Sequence, residues 1–220
     1  MTIDLRLYAV LDPDRLGGLD LATLAARVVQ GGATIVQLRD KHASTRRLVE
    51  ETRELKSVLR HSTIPLLVND RVDVALAGGA QGVHLGQDDL AIEDARQLLG
   101  PNAVIGLSVK SVAQAQAAPL EVLDYVCVGG VFATSSKDNP DPPVGVAGLK
   151  EILTVLRHRR PQLPIGAIAG IDAGNAADVI GAGADGVAVI SALSLASDPA
   201  KAASELRAIV DDALTRRATS

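Results

Sequence analysis

Residues 31–38 read GGATIVQL, residues 78–85 read GGAQGVHL and residues 181–190 read GAGADGVAVI. Each sets Gly and Ala between the end of a helix-like stretch and the start of an apolar run. Glycine suits that junction because it takes a positive φ without steric cost. Working outward, eight short apolar runs recur along the chain, at 5–11, 34–38, 65–68, 82–85, 104–107, 125–128, 164–167 and 186–190. The stretches between them, such as LATLAARVVQ, STRRLVEETRELKSVLR, AIEDARQLL and AGNAADVIGAG, return apolar residues every three or four positions, the helical period. Strand–helix units in this number predict an α/β fold, a closed (β/α)₈ barrel of TIM type occupying 1–220 as one domain. The alternative is an open doubly wound sheet. No GxGxxG follows the first strand, and eight units favour closure.

Composition agrees with that reading. The chain of 220 residues fits one domain, since α/β barrels run to about 250 residues. Hydrophobic residues make up 47% against 22% charged, which excludes a disordered chain. Aromatics are only Tyr8, Tyr125 and Phe132, so the core must be built from Val, Ile, Leu and Ala, the residues of parallel strands and their covering helices. A formal charge of -4 gives no basic face for nucleic acid, so any anion site is local. Cys127 alone forms no intramolecular disulfide, and no Cys/His cluster has zinc spacing. With no signal-like start and no long apolar segment, the expectation is a cytoplasmic protein that uses neither membrane nor nucleic acid, with assembly into a homo-oligomer left open.

In such a barrel, chemistry sits at the carboxyl ends of the strands. The second strand turns polar there as Gln37, Arg39 and then Lys41, all of one parity with Ile35. An extended strand therefore sends Gln37 and Arg39 into the barrel mouth. Surface ion pairing is the bland reading of Arg39 and Lys41. Convergence of Gln, Arg and Lys on one strand end favours a site.

The third strand ends at Asn69 and Asp70, and the fourth runs into Gln87, Asp88 and Asp89. Two carboxylates on adjacent strand ends suit Mg²⁺, which takes one or two carboxylates and fills its octahedron with water and phosphate oxygens. The competing reading makes Asp70 and Asp89 ordinary helix N-caps. His84 reads as a core histidine with one satisfied nitrogen, and Cys127 as a small buried hydrophobe. Strand five presents Ser108 and Lys110; strand six leads into Thr134, Ser135, Ser136 and Lys137, which read either as a solvated turn or as an anion cradle. Gly170, Ile190 and Ser191 follow strands seven and eight, where barrels commonly bind phosphate. Residues 133–145, rich in Pro, Asp, Asn and Ser, read as a mobile binding loop or lid.

QLRDK at 37–41, ND at 69–70, HLGQDD at 84–89, GLS at 106–108, TSSK at 134–137, AGI at 169–171 and VIS at 189–191 together resemble the thiamine phosphate synthase family across the whole barrel. The resemblance implies a transferase that joins a hydroxymethylpyrimidine diphosphate to a thiazole phosphate, giving thiamine phosphate and pyrophosphate. By position it implies that Gln37, Leu38, Arg39, Asp40, Lys41, Asn69, Ser108 and Lys137 hold the pyrimidine diphosphate. It assigns Thr134, Ser135, Ser136, Gly170, Ile190 and Ser191 to the thiazole phosphate, and Asp70 with Asp89 to Mg²⁺. Arg39, Lys41, Ser108 and Lys137 would carry the catalysis.

Three positions depart from the family pattern. The usual TPT is Thr134, Ser135 and Ser136, which keeps the outer hydroxyls and loses the stiff proline. The usual GGI is AGI, so Ala169 would be strained if its backbone needs a positive φ. Lys110 stands where the family has a histidine. The nearest rival is the thiazole tautomerase branch, which uses a histidine where this chain has Gly130. From a different class, a non-catalytic phosphate-binding barrel regulating a partner would not need both acidic residues.

Overall fold

The computed structural model describes residues 3–136 and 142–219. Eight parallel strands close in chain order, each pairing with the next and β8 with β1. They are β1 (Leu7–Leu11), β2 (Ile35–Leu38), β3 (Leu66–Asn69), β4 (Gly82–Leu85), β5 (Val104–Val109), β6 (Tyr125–Val128), β7 (Ile165–Ile168) and β8 (Gly186–Val189). The surrounding helices are α1 (Leu21–Gln30), α2 (Thr45–Val58), α3 (Val72–Gly78), α4 (Ile92–Leu99), α5 (Val112–Ala117), α6 (Gly145–Arg159), α7 (Ala176–Gly181), the short α8 (Ser191–Ser194) and α9 (Pro199–Ala218). The closed barrel expected from the apolar runs is the fold of this chain.

Strand parity divides the core in two. Tyr8, Val10, Ile35, Leu67, Tyr125, Cys127, Ala188 and Ile190 form one buried cluster with Ile3 and Leu5. This is the barrel interior, with the segment before β1 plugging its floor. Alternate residues such as Leu7, Ala9, Val36, Leu38, Val68, Val83 and Val187 pack outward with Leu24, Val28, Leu55 and Leu206 of the helices. Cys127 belongs to the interior, where burial pushes its thiol up to about 12, so it is no nucleophile.

The internal repeat has a structural reason. In each of four strand pairs, the residue just before the even-numbered strand accepts an N–H at the start of the odd-numbered strand beside it, the first amide in three of them and the second in β5. Thr34 Oγ1 accepts from Leu7 N at 3.1 Å and Gln81 Oε1 from Leu66 N at 2.9 Å. Asp124 Oδ2 accepts from Ile105 N at 2.8 Å and Asp185 Oδ2 from Ile165 N at 2.9 Å. An amide at a strand's start would otherwise lie unpaired at the amino end of the barrel, which is costly. Arginines secure the two aspartates: Arg96 bonds Asp124 at 2.6 Å, and Arg157 and Arg217 both bond Asp185. The amino end is thus tied together, which leaves the carboxyl end to carry loops.

Candidate active site

At that carboxyl end the interior-facing positions turn polar. Asp12 follows β1, Gln37 and Arg39 close β2, Asn69 ends β3, His84 lies in β4 and Ser108 in β5. Two cavities open on this rim. The first, about 510 Å³, is lined by Arg39, Lys41, Asn69, Asp70, Gln87, Asp88, Asp89, Ser108 and Lys110, among others. The second, about 310 Å³, is lined by Thr134, Ser135, Ser136, Ala169, Gly170, Ile190 and Ser191, among others. A larger depression of about 800 Å³ lies at the amino end, where Arg157 and Arg217 both already bond Asp185. It belongs to the stabilising face.

In the first cavity, Lys41 forms an ion pair with Asp70. Burial, and then a hydrogen bond shared with Asp70, raise the Asp89 carboxyl above the ordinary carboxylate value. Asp89 also accepts from Gly86 N at 2.7 Å. Neither carboxylate caps a helix: α3 is preceded by Arg71 and α4 by Ala91, both without a side-chain cap bond. The capping alternative therefore fails, because each helix starts two or three residues beyond the aspartate. Asp70 itself holds φ 62, a left-handed conformation that Asp tolerates through its short polar side chain. A carboxyl raised by its carboxylate neighbour in this way suits a divalent cation. Among the described residues no group of three or more His, Cys, Asp or Glu could hold a metal, so any ion here would complete its shell from water and ligand oxygens.

Arg39 is held by Asp12, whose carboxylate is buried. Asp12 went unremarked in the sequence because Asp-Pro reads as a turn, although its parity with Tyr8 and Val10 marks it as interior. Gln37 is buried at the end of β2, 3% exposed, with no hydrogen-bond partner for its Nε2 among the described residues. A buried amide left this way is costly unless a ligand satisfies it. Two members of QLRDK turn elsewhere. Leu38 packs in the layer between strands and helices, and Asp40 accepts from His42 N and Ala43 N at 2.8 Å each, spending its carboxylate on its own loop. Lys137 lies outside the described residues, as do the middle positions of the expected loop over 133–145.

His84 differs from its expected role. Both ring nitrogens are bonded, Nδ1 to Tyr125 Oη and Nε2 to Ser108 Oγ, each at 2.8 Å. Its partners stand 41 and 24 residues away, so no local spacing announces them.

In the second cavity all six residues expected to hold a phosphate come together. Ser136 N donates to Thr134 Oγ1 at 3.1 Å, and the Ser136 and Ser191 hydroxyls lie 3.2 Å apart, joining the loop after β6 to the first turn of α8. Arg15 donates to the Ser135 carbonyl, pinning the same loop to the segment after β1. α8 stands after β8, where barrels frequently place a short extra helix.

Residues 7–193 match the family model for thiamine monophosphate synthase. The chain belongs to that family. It is 48% identical over 215 residues to the thiamine-phosphate synthase of Agrobacterium fabrum, covering 98% of both chains. It is 46% identical to the thiamine-phosphate synthase of Chloroflexus aurantiacus, covering 94% of each. Among solved structures it resembles a thiamine phosphate pyrophosphorylase from Pyrococcus furiosus, with a TM-score of 0.83 and 38% identity over 96% of this chain and 98% of that one. The chain is therefore an enzyme of thiamine phosphate synthesis, and the carboxyl-end rim is its candidate active site. No described helix is long and apolar enough to cross a membrane.

Within this family setting, the alanine that replaces the first glycine of GGI takes φ 91. Holding a non-glycine residue there costs about 1–3 kcal/mol, offset by the about 0.4–1 kcal/mol that glycine loses in the unfolded chain. Ala169→Gly is expected to stabilise the enzyme by about 1 kcal/mol, or roughly 2–4 °C in a thermal melt. A lower melting temperature would show that Ala169 is unstrained.

Proposed function

We propose that the cavity at β2–β5 binds a hydroxymethylpyrimidine diphosphate with Mg²⁺, and that the cavity at β6–β8 binds a thiazole phosphate, the two being joined to thiamine phosphate with release of pyrophosphate. The observation that carries this reading is the division of the rim. One cavity is lined by cations and a carboxylate pair, the other by hydroxyls and the start of α8. The reading makes the enzyme a cytoplasmic one with these two small molecules as its partners.

The chemistry needs no protein nucleophile, which agrees with the buried, protonated Cys127. The C–O bond between the pyrimidine methylene and the diphosphate breaks, the electron pair leaves with the diphosphate, and the thiazole nitrogen forms the new C–N bond to the methylene carbon. Bound Mg²⁺, held by Asp70 and Asp89, would neutralise charge on the diphosphate. Arg39 and Lys41 supply fixed positive charge at the same place, and Lys137 joins them by its position in the family motif. Preorganised charge of this kind acts where charge develops. Gln37, with its unpartnered Nε2, would meet an acceptor atom of the pyrimidine, and Ser108 would face the same ring. Thr134, Ser135, Ser136, Gly170, Ile190 and Ser191 would hold the thiazole phosphate and so aim its nitrogen, a proximity effect. Gly130, with φ 70 and no side chain, offers no group for the proton transfer that a thiazole tautomerase needs.

Two-substrate kinetics test the division. Ser191→Ala is expected to raise KM for the thiazole phosphate about tenfold, the loss of one charge-assisted hydrogen bond, with KM for the pyrimidine diphosphate unchanged. Gln37→Ala should do the reverse. If either variant shifted both constants equally, the two-cavity assignment would be wrong.

A further inference from the structure

The chain has two tyrosines, and both are used in one place. Tyr8 on β1 and Tyr125 on β6 face each other inside the barrel with their hydroxyls 2.9 Å apart. Tyr125 Oη lies 2.8 Å from His84 Nδ1, and His84 Nε2 lies 2.8 Å from Ser108 Oγ. The rings are packed to match: Tyr125 stacks on His84 at 5.5 Å and 28°, and Tyr8 meets Tyr125 edge-on at 5.9 Å and 72°. Gly106, beside Tyr125 in the β5–β6 register, makes the room, since a Cβ there would come closer than 3.0 Å to the phenol ring. Four polar groups therefore form one line from the apolar floor of the barrel to the rim.

Proton counting gives that line a direction. Each hydroxyl has one proton to donate, and a neutral imidazole has one N–H and one acceptor nitrogen. Tyr8 sits in the interior cluster with Val10, Ile35 and Leu67, and the Tyr125 hydroxyl is its hydrogen-bond partner among the described residues. An unpaired buried donor is costly. Tyr8 therefore donates to Tyr125, and Tyr125 donates to Nδ1. His84 then carries its proton on Nε2 and donates to Ser108 Oγ, so the serine's own proton is left for the cavity. Running the line backwards would strand the Tyr8 proton at the closed end. Burial keeps both phenols protonated, with values well above their ordinary one.

We propose that this closed tyrosine–histidine line sets the hydrogen-bond polarity of Ser108, so that the serine offers a donor and selects a substrate ring with an acceptor nitrogen at that point. Tyr8, Tyr125 and His84 are positioning residues, acting through Ser108. The substrate half rests on the proposed placement of the pyrimidine, whose ring nitrogens accept and whose exocyclic amine donates.

The polarity is measurable in the ligand-free enzyme by two-bond ¹H–¹⁵N correlation of the histidine side chains, with His84 assigned by its absence in His84→Gln. The expected result is a protonated Nε2 and an unprotonated, accepting Nδ1. A proton on Nδ1, in the neutral or the charged ring, would overturn the proposed polarity. Tyr125→Phe keeps the ring but removes the proton aimed at Nδ1. In that variant the hydrogen bond accepted by Nδ1 is lost and the preference between tautomers weakens, so the Nδ1 ¹⁵N resonance should move, and KM for the pyrimidine diphosphate should rise about tenfold with the thiazole KM unchanged. An unmoved Nδ1 resonance would count against the line. If His84 carries its proton on Nε2 but Ser108→Ala leaves the pyrimidine KM unchanged, the substrate half is overturned, and the fault lies in the placement of the pyrimidine.

Discussion

Removing either member of the Asp70–Asp89 pair should reduce pyrophosphate release by about a hundred- to a thousandfold, the scale on which preorganised transition-state charge acts, while the barrel stays folded. The structure separates the two effects. Neither aspartate caps the helix that follows it, so no helix loses its start. Asp89 gives up one turn bond, from Gly86 N. Asp70 holds φ 62, which asparagine tolerates and alanine does not, so Asp70→Asn is the cleaner variant at that position.

Asp89 adds a second, opposite effect. Its folded-state value is raised by burial and by Asp70, so the stability it contributes is full below the ordinary value of 3.8 and lost as pH rises through the raised value. In metal-free protein, Asp89→Asn should therefore be more stable than the parent at pH 7, with the advantage vanishing near pH 3. Pyrophosphate release at saturating Mg²⁺ and thermal melts at the two pH values check both halves. Unchanged turnover in either variant would remove the metal assignment, and an Asp89→Asn enzyme less stable at pH 7 would remove the electrostatic one.

The largest loss of stability is expected at Gly186. This residue faces the barrel floor at the start of β8, where the segment carrying Ile3 and Leu5 crosses beneath the strands. A Cβ at 186 would lie closer than 3.0 Å to the Leu5 carbonyl oxygen and 2.7 Å from Arg6 N. Both are backbone atoms, and β1 is fixed just beyond them by pairing with β2 and β8. Nothing can yield without moving a strand. Gly186→Ala should cost more than about 4 kcal/mol, the range reserved for gross packing faults, and lower the melting temperature by roughly 8–16 °C. Gly181→Ala, at the end of α7, is the control, since a Cβ there meets nothing within 4 Å and its backbone has no positive φ. It should be neutral or stabilising by up to about 1 kcal/mol. Equal losses in the two variants would show that the floor is not packed as described.

The fold was largely readable from the chain because each strand and helix is specified locally by apolar period. The strands at 82–85 and 125–128 and the helix at 21–30 keep their expected limits, while β5 runs on to Val109. The rim was readable where parity alone decides direction, as for Gln37 and Arg39. Pairings between distant strands were not. Asp12 meets Arg39 across 27 residues, and the Tyr8–Tyr125 bond spans 117. The same limit applies to Asp70 and Asp89: sequence could weigh capping against metal binding, but only the helix starts at Val72 and Ile92 exclude the caps.

The central claim is that the two rim cavities hold the two halves of thiamine phosphate. Purified enzyme, Mg²⁺, the pyrimidine diphosphate and the thiazole phosphate should together yield thiamine phosphate and pyrophosphate in equal amounts, with no product when any one component is left out. Absence of product from an enzyme that still binds the thiazole phosphate would contradict the account.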